Sequence, residues 1–117
     1  MDRTKLQGRE GEAEAARYLR KKGFRVVGMN YSCRFGEIDI IAEDRGCIVF
    51  VEVKLRKDAR FAEAREYVTE AKREKIRKTA LIWLAANETG LQPRFDVIEI
   101  YYGKGRIEMN HIENAFE

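Results

Sequence analysis

Two cysteines, Cys33 and Cys47, and a single histidine, His111, are too few for a disulfide framework, and together they fall one short of a four-ligand zinc site. A reduced, cytoplasmic protein is the expectation that follows. No apolar run approaches the ~20 residues of a membrane span. The opening Met1-Asp2-Arg3-Thr4-Lys5 leads into a charged amphipathic segment rather than an apolar leader, so no membrane partner is expected. Nucleophilic triads, glycine loops that cradle phosphate and redox cysteine pairs are all missing. Only one proline interrupts the chain, so few positions are barred from regular structure.

What is present is a globular balance of 44% hydrophobic and 37% charged residues, and 117 residues make one domain, 1–117, with room for a core. The net charge of +3 conceals an uneven distribution. Between Lys54 and Lys78 stand ten basic residues against five acids, an excess of five and more than that of the whole chain. Such a field fits a polyanionic partner. The plainer reading is a solvated helix face carrying Glu/Lys pairs.

Periodicity predicts a helix over about 4–22, with Ala13, Ala15, Ala16, Tyr18 and Leu19 on its apolar side and Gly23 as its stop. A strand starts at Phe24-Arg25-Val26-Val27, and 30–35 reads as a connection. Two strong strands follow, Gly36–Glu43 and Cys47–Lys54. The four turn residues Glu43-Asp44-Arg45-Gly46 join them into an antiparallel hairpin. Residues 55–68 read as basic and irregular, with a short helix around 62–67. Thr69 is placed to cap a helix over about 70–87 whose core positions are Ile76, Ala80, Trp83 and Leu84. A loop over Asn87–Pro93, a strand over Arg94–Tyr101 and a last strand near Arg106–Ile112 complete the order αβββαββ. This is a mixed α/β sheet flanked by helices.

The hairpin carries charge in an apolar setting. Along the second strand Val49, Val51 and Val53 share one face, and Ile48 and Phe50 share the other, so both faces are covered. Glu52 and Lys54 continue the Ile48/Phe50 face. A carboxylate there is costly unless it is paired, protonated or bound to a metal. Asp39, on the preceding strand, converges on Glu52 if the register aligns them. Two carboxylates alone repel, and one keeps its proton. A divalent cation, Mg²⁺ or Mn²⁺, resolves the conflict through oxygen ligands. Lys54, two residues past Glu52, supplies a cation for attacking water or for charge on phosphate. Glu-x-Lys alone is weak, because Glu70-Ala71-Lys72 matches it too. On a helix those side chains point about 200° apart. The bland alternative is a surface Glu52/Lys54 pair with Asp39 solvated.

Asp39 followed by Glu52-Val53-Lys54 on the next strand resembles the PD-(D/E)xK nuclease signature of the restriction-endonuclease-like fold, with Ile38 where the signature has proline. Gly36-Glu37-Ile38-Asp39-Ile40-Ile41-Ala42 with Phe50-Val51-Glu52-Val53-Lys54 is similar, more specifically, to the bacterial YraN-type family of predicted endonucleases. Gly11-Glu12, Ala15-Ala16, Tyr18-Leu19, Asn30, Arg34, Lys72-Arg73 and Arg94-Phe95-Asp96-Val97 match it as well, over nearly the whole chain. The resemblance implies a DNA endonuclease in which Asp39 and Glu52 hold the metal, Lys54 is catalytic and Glu12 approaches the metal from the first helix. Archaeal Holliday-junction resolvases look like more distant relatives, which implies branched DNA as a substrate and a homodimer as an assembly. Glu37 shares the Asp39 face. Arg34, Arg56, Arg60, Lys72 and Arg73 are candidate contacts to the DNA backbone, which basic side chains hold without reading sequence. His111 has no partner in view and reads as structural. The rival to an enzyme is a non-catalytic nucleic-acid-binding or protein-interaction domain that keeps the fold. A small-molecule phosphodiesterase would need a closed pocket.

Overall fold

The structure, a computed structural model, describes residues 8–56, 68–103 and 105–117. The elements run α1 (Gly8–Lys21), β1 (Arg25–Cys33), β2 (Gly36–Asp44), β3 (Cys47–Arg56), α2 (Glu70–Ala86), β4 (Gln92–Gly103) and β5 (Arg106–Phe116), the expected αβββαββ order. They form one five-stranded mixed sheet in the order β1-β2-β3-β4-β5. β3 and β4 pair in parallel through the α2 crossover, and every other neighbouring pair is antiparallel. The expected short helix around 62–67 lies outside the described residues, as do the first residues of the expected 4–22 helix. Among the described residues no helix is long and apolar enough to cross a membrane.

Both faces of the sheet are covered, as the doubly apolar β3 requires. On one face Ala15, Ala16 and Leu19 of α1 pack with Ile40, Ala42, Val49, Val51, Ile98 and Ile100. On the other, Ile76 and Ala80 of α2 pack with Ile38, Ile41, Ile48, Phe50, Val97 and Phe116, with Trp83 and Leu84 half-buried beside them. The Thr69 side chain accepts the Lys72 N–H at 3.2 Å and caps α2. Past α1, Gly23 takes φ +96° while the Phe24 N–H closes onto the Leu19 carbonyl at 3.0 Å, the left-handed exit that favours glycine. The β2–β3 turn is tighter than expected. Asp44 pairs with Cys47, which leaves Arg45 (φ 48°) and Gly46 (φ 83°) as a two-residue loop of the kind that suits the strand twist.

Several boundaries differ from expectation. β3 does not end at Lys54, because pairing with β4 continues through Leu55↔Ile100 to Arg56↔Tyr101 and makes strand of the first two residues of the expected irregular 55–68 segment. β1 does not stop at Val27, and of the expected connection over 30–35 only Arg34 and Phe35 form the turn. Pairing continues through Tyr31↔Ile38 to Cys33↔Gly36, and Asn30 takes up the irregularity in a left-handed conformation (φ 54°). β4 starts at Gln92 because the Gln92 N–H reaches the Gly46 carbonyl at 3.0 Å, which carries Pro93 into the sheet opposite Ile48. β5 runs on to Phe116 because a bulge between Phe95 and Val97 restores pairing at Phe95↔Phe116.

Candidate functional site

The site begins where β2 stops alternating. Ile38 and Ile40 are two residues apart and belong on one face of a regular strand. Yet Ile38 lies in the α2-side core and Ile40 in the α1-side core. The switch falls at Asp39, and across the ladder Met29↔Ile40 and Tyr31↔Ile38 bracket left-handed Asn30. On the other side of β2, pairing with β3 begins only at Ile40↔Val51. Beyond that point the Asp39 carboxylate takes over from the backbone, accepting the Val53 N–H at 2.7 Å. The two central strands thus part around one aspartate, whose side chain satisfies the donor that the split would orphan.

Glu52 stands on β3 at this split. It and Asp39 are both more than nine-tenths buried. They line a cleft of about 430 Å³ together with Glu37 and with Thr69, Lys72 and Lys75 from the start of α2. Gly36 lets α2 approach, since a Cβ there would already touch Lys75 and Thr79 at 3.4 Å. Glu12 comes from α1. Gly11 beside it presses so closely on β3 that an added Cβ would sit 2.7 Å from Leu55 Cδ2, and this contact seats Glu12 against Asp39. Glu12 Oε1 is buried and has no hydrogen-bond partner.

The acids resist ionisation together. Burial, reinforced by Glu12 and Glu37, outweighs the Val53 N–H and pushes Asp39 up to about 6. Burial and the neighbouring Asp39 also hold Glu52 above its ordinary value, against the pull of Lys72 and Lys54. Lys72 Nζ lies 3.0 Å from Glu52 Oε2, and Lys54 Nζ lies 3.9 Å from the same oxygen. Partial burial works against the Lys72 charge, but Glu52, Asp39 and Glu37 raise its pKa. Among the described residues no three Asp, Glu, His or Cys side chains already stand together as a metal-binding group. The donor set is nonetheless all hard oxygen, with two acids held against ionisation and one orphaned carboxylate oxygen, which suits Mg²⁺ or Mn²⁺.

The basic residues divide. Lys54, Arg56 and Arg73 meet around a second recess of about 200 Å³, floored by Val68, Val97 and Phe116. Arg56 is anchored there by Glu99 at 3.4 Å. Lys72 sits on the acids instead. Arg34 is exposed at the β1–β2 turn with its guanidinium 4.9 Å from the Phe35 ring centre, lining neither recess. Arg60 lies outside the described residues. Lys75 and Thr69 went unnoticed as cleft residues, although Lys75 lies one helical turn from Lys72. His111 does have a partner. Its Nε2 lies 2.8 Å from Asp96, a fully buried carboxylate also held by Arg94 and by the Asn114 N–H at 3.0 Å. This accounts structurally for the Arg94-Phe95-Asp96 motif and ties His111 into the same buried cluster.

Fold and site together define a mixed α/β domain with an acid-lined cleft opened by the splitting of two central strands. Its sequence places it more closely. The chain belongs to the uncharacterised protein family UPF0102, whose family model matches residues 11–100, and this is the YraN-type family that the motifs indicate. The UPF0102 protein of Pelotomaculum thermopropionicum is 42% identical over 118 residues, covering 98% of both chains. UPF0102 protein TTE1452 of Caldanaerobacter subterraneus subsp. tengcongensis is 44% identical over 116 residues, covering 96% of this chain and 95% of the relative. UPF0102 protein VP0448 of Vibrio parahaemolyticus is 46% identical over 110 residues, covering 92% and 89%.

Proposed function

We propose that this chain is a restriction-endonuclease-like, Mg²⁺- or Mn²⁺-dependent DNA endonuclease that hydrolyses phosphodiester bonds, with branched DNA among its substrates. The observation that carries the reading is the convergence of buried Asp39 and Glu52, with Glu12 behind them, at the strand split beside a basic flank. Asp39, Glu52 and Glu12 would hold the cation, which supplies Lewis acidity when bound. The chain's own residues do the remainder. The Val53 N–H fixes the Asp39 carboxylate in place. Lys54, beside Glu52, orients the attacking water and balances the charge that builds on the phosphate oxygens. Water attacks phosphorus directly and gives up its proton to solvent, the P–O bond to the leaving strand breaks with its oxygen taking up a proton, and no covalent enzyme intermediate forms. Lys75 and Arg73, on the rims of the two recesses, hold the flanking backbone without reading sequence.

The test is a cleavage assay on linear, nicked, flapped and four-way-junction DNA with Mg²⁺ or Mn²⁺. Asp39→Ala and Lys54→Ala serve as controls. Cleavage that each substitution lowers by at least about 10²-fold, the scale for losing one transition-state contact, supports the proposal. A protein that cuts none of these substrates overturns it, and undiminished cutting by Asp39→Ala overturns the site.

One observation favours a second reading. Glu52 is already neutralised by Lys72 at 3.0 Å. A nucleic-acid-binding domain in which Lys72 permanently takes the place of the metal would bind DNA with a steep salt dependence. That binding would be unaffected by divalent cations or by Lys54→Ala.

A further inference from the structure

Lys72 and Lys54 both approach Glu52, but they are placed differently. Lys54 lines the second recess and lies 3.9 Å from Glu52. Lys72 lines the acid cleft and makes the shorter contact, 3.0 Å, with the same oxygen. Its backbone is pinned by the Thr69 cap, so the start of the side chain is fixed. Its far end is not. The Lys72 side chain is 47% exposed, whereas that of Glu52 is 7% exposed. A lysine is a compact charge on a flexible stem and can leave a carboxylate without disturbing the helix that carries it. Glu52 cannot leave.

On the reading of the site as a metal site, we propose that Lys72 is a built-in stand-in cation. It holds Glu52 while the cleft has no divalent ion, and it must be displaced before Glu52 can serve as a ligand. Lys72 and the divalent cation then compete for one carboxylate. The competition sets the affinity for the cation, and a polyanion that draws Lys72 outward would free Glu52. Lys72 is a positioning residue on this account, acting through Glu52. It differs from Lys75, which lines the same cleft on the same helix and makes no ion pair with Glu52 among the described residues.

The experiment is a titration of the purified, metal-stripped protein with Mn²⁺, following free Mn²⁺ by electron paramagnetic resonance, without DNA. Lys72→Met should bind Mn²⁺ at least about fivefold more tightly than wild type, the least expected from removing a unit charge about 4 Å away in a water-like dielectric. Lys72→Arg, which keeps the charge, should stay within about twofold, and Lys75→Met, which removes a charge that does not touch Glu52, should tighten binding clearly less than Lys72→Met, since through-space repulsion weakens with distance. A Lys72→Met protein that binds Mn²⁺ no more tightly than wild type overturns the inference while leaving the metal site standing. Equal tightening by Lys75→Met also overturns it, because the effect would then be general charge. Absence of Mn²⁺ binding from every variant overturns the metal reading of the site and this inference with it.

Discussion

Replacing Asp39 by asparagine separates its two jobs, because the amide oxygen can still accept the Val53 N–H while the charge is gone. In the metal-free protein the carboxyl titrates at about 6 against an ordinary 3.8, chiefly because it is buried and then because Glu12 and Glu37 lie near. A folded value above the unfolded one means that the native state holds the proton more tightly. Stability from this group is therefore fully present below pH 4 and is lost as pH rises through 6. At about 1.4 kcal/mol per unit of pKa, the loss is about 3 kcal/mol. The amide of the Asp39→Asn variant does not ionise. The stability of Asp39→Asn minus that of wild type should then climb from near zero at pH 4 to about 3 kcal/mol at pH 7. Urea unfolding in EDTA across that range measures it. Asp39→Ala serves as control. It loses the acceptor for a buried N–H and should be less stable than wild type at pH 4 by about 1–3 kcal/mol. Parallel pH profiles for Asp39→Asn and wild type would refute the claim that the folded protein disfavours the ionised form of Asp39.

Two further outcomes concern the frame that holds the site. Gly11→Val drives side chain into Leu55 and should destabilise by about 1–3 kcal/mol in urea unfolding. The double variant with Leu55→Ala should recover part of that loss, and no recovery would argue against the close approach. Asp96→Ala leaves Arg94 only its Asp44 partner at 3.2 Å, strips the acceptor from His111 and the Asn114 N–H, and should cost about 1–3 kcal/mol. Burial works to raise the Asp96 pKa, but His111, Arg94 and the Asn114 N–H overcome it and hold it below the ordinary 3.8. The stability it contributes is present above pH 4 and disappears as pH falls below that. Wild type should thus lose its advantage over Asp96→Ala on acidification, and a constant difference down to pH 2 would contradict this.

The helices and the hairpin were legible because their signals are local. Ile76, Ala80, Trp83 and Leu84 repeat at helical spacing, Thr69 sits at the cap, and β3 alternates with both faces apolar. The Glu52–Lys54 pairing on one face was legible for the same reason. What could not be read locally depends on cross-chain partners. β1 is a strand through Asn30 only because β2 pairs with it on either side of the irregularity. Pro93 enters a strand because Gly46 accepts from Gln92. Lys72 reaches Glu52 because the α2 crossover brings its first turn over the end of β3, and no spacing along the chain encodes that distance. Asp96 stood out only as part of the Arg94-Phe95-Asp96-Val97 motif, with no partner assigned to it. Its partners Arg94, His111 and Asn114 span two strands and gather only when β5 folds back.

The hydrogen bond from Val53 to Asp39 makes one acid part of the sheet's stitching. A descendant of this fold that had lost its chemistry would still be under pressure to keep an acceptor at position 39, and either aspartate or asparagine would satisfy it. Glu52 has no such second employment, since the ladder does not depend on its side chain. Among relatives, then, an aspartate at 39 says only that the strands still part in the same way. A glutamate at 52, maintained at the cost of burying a charge, is the residue whose loss would mark a retired site.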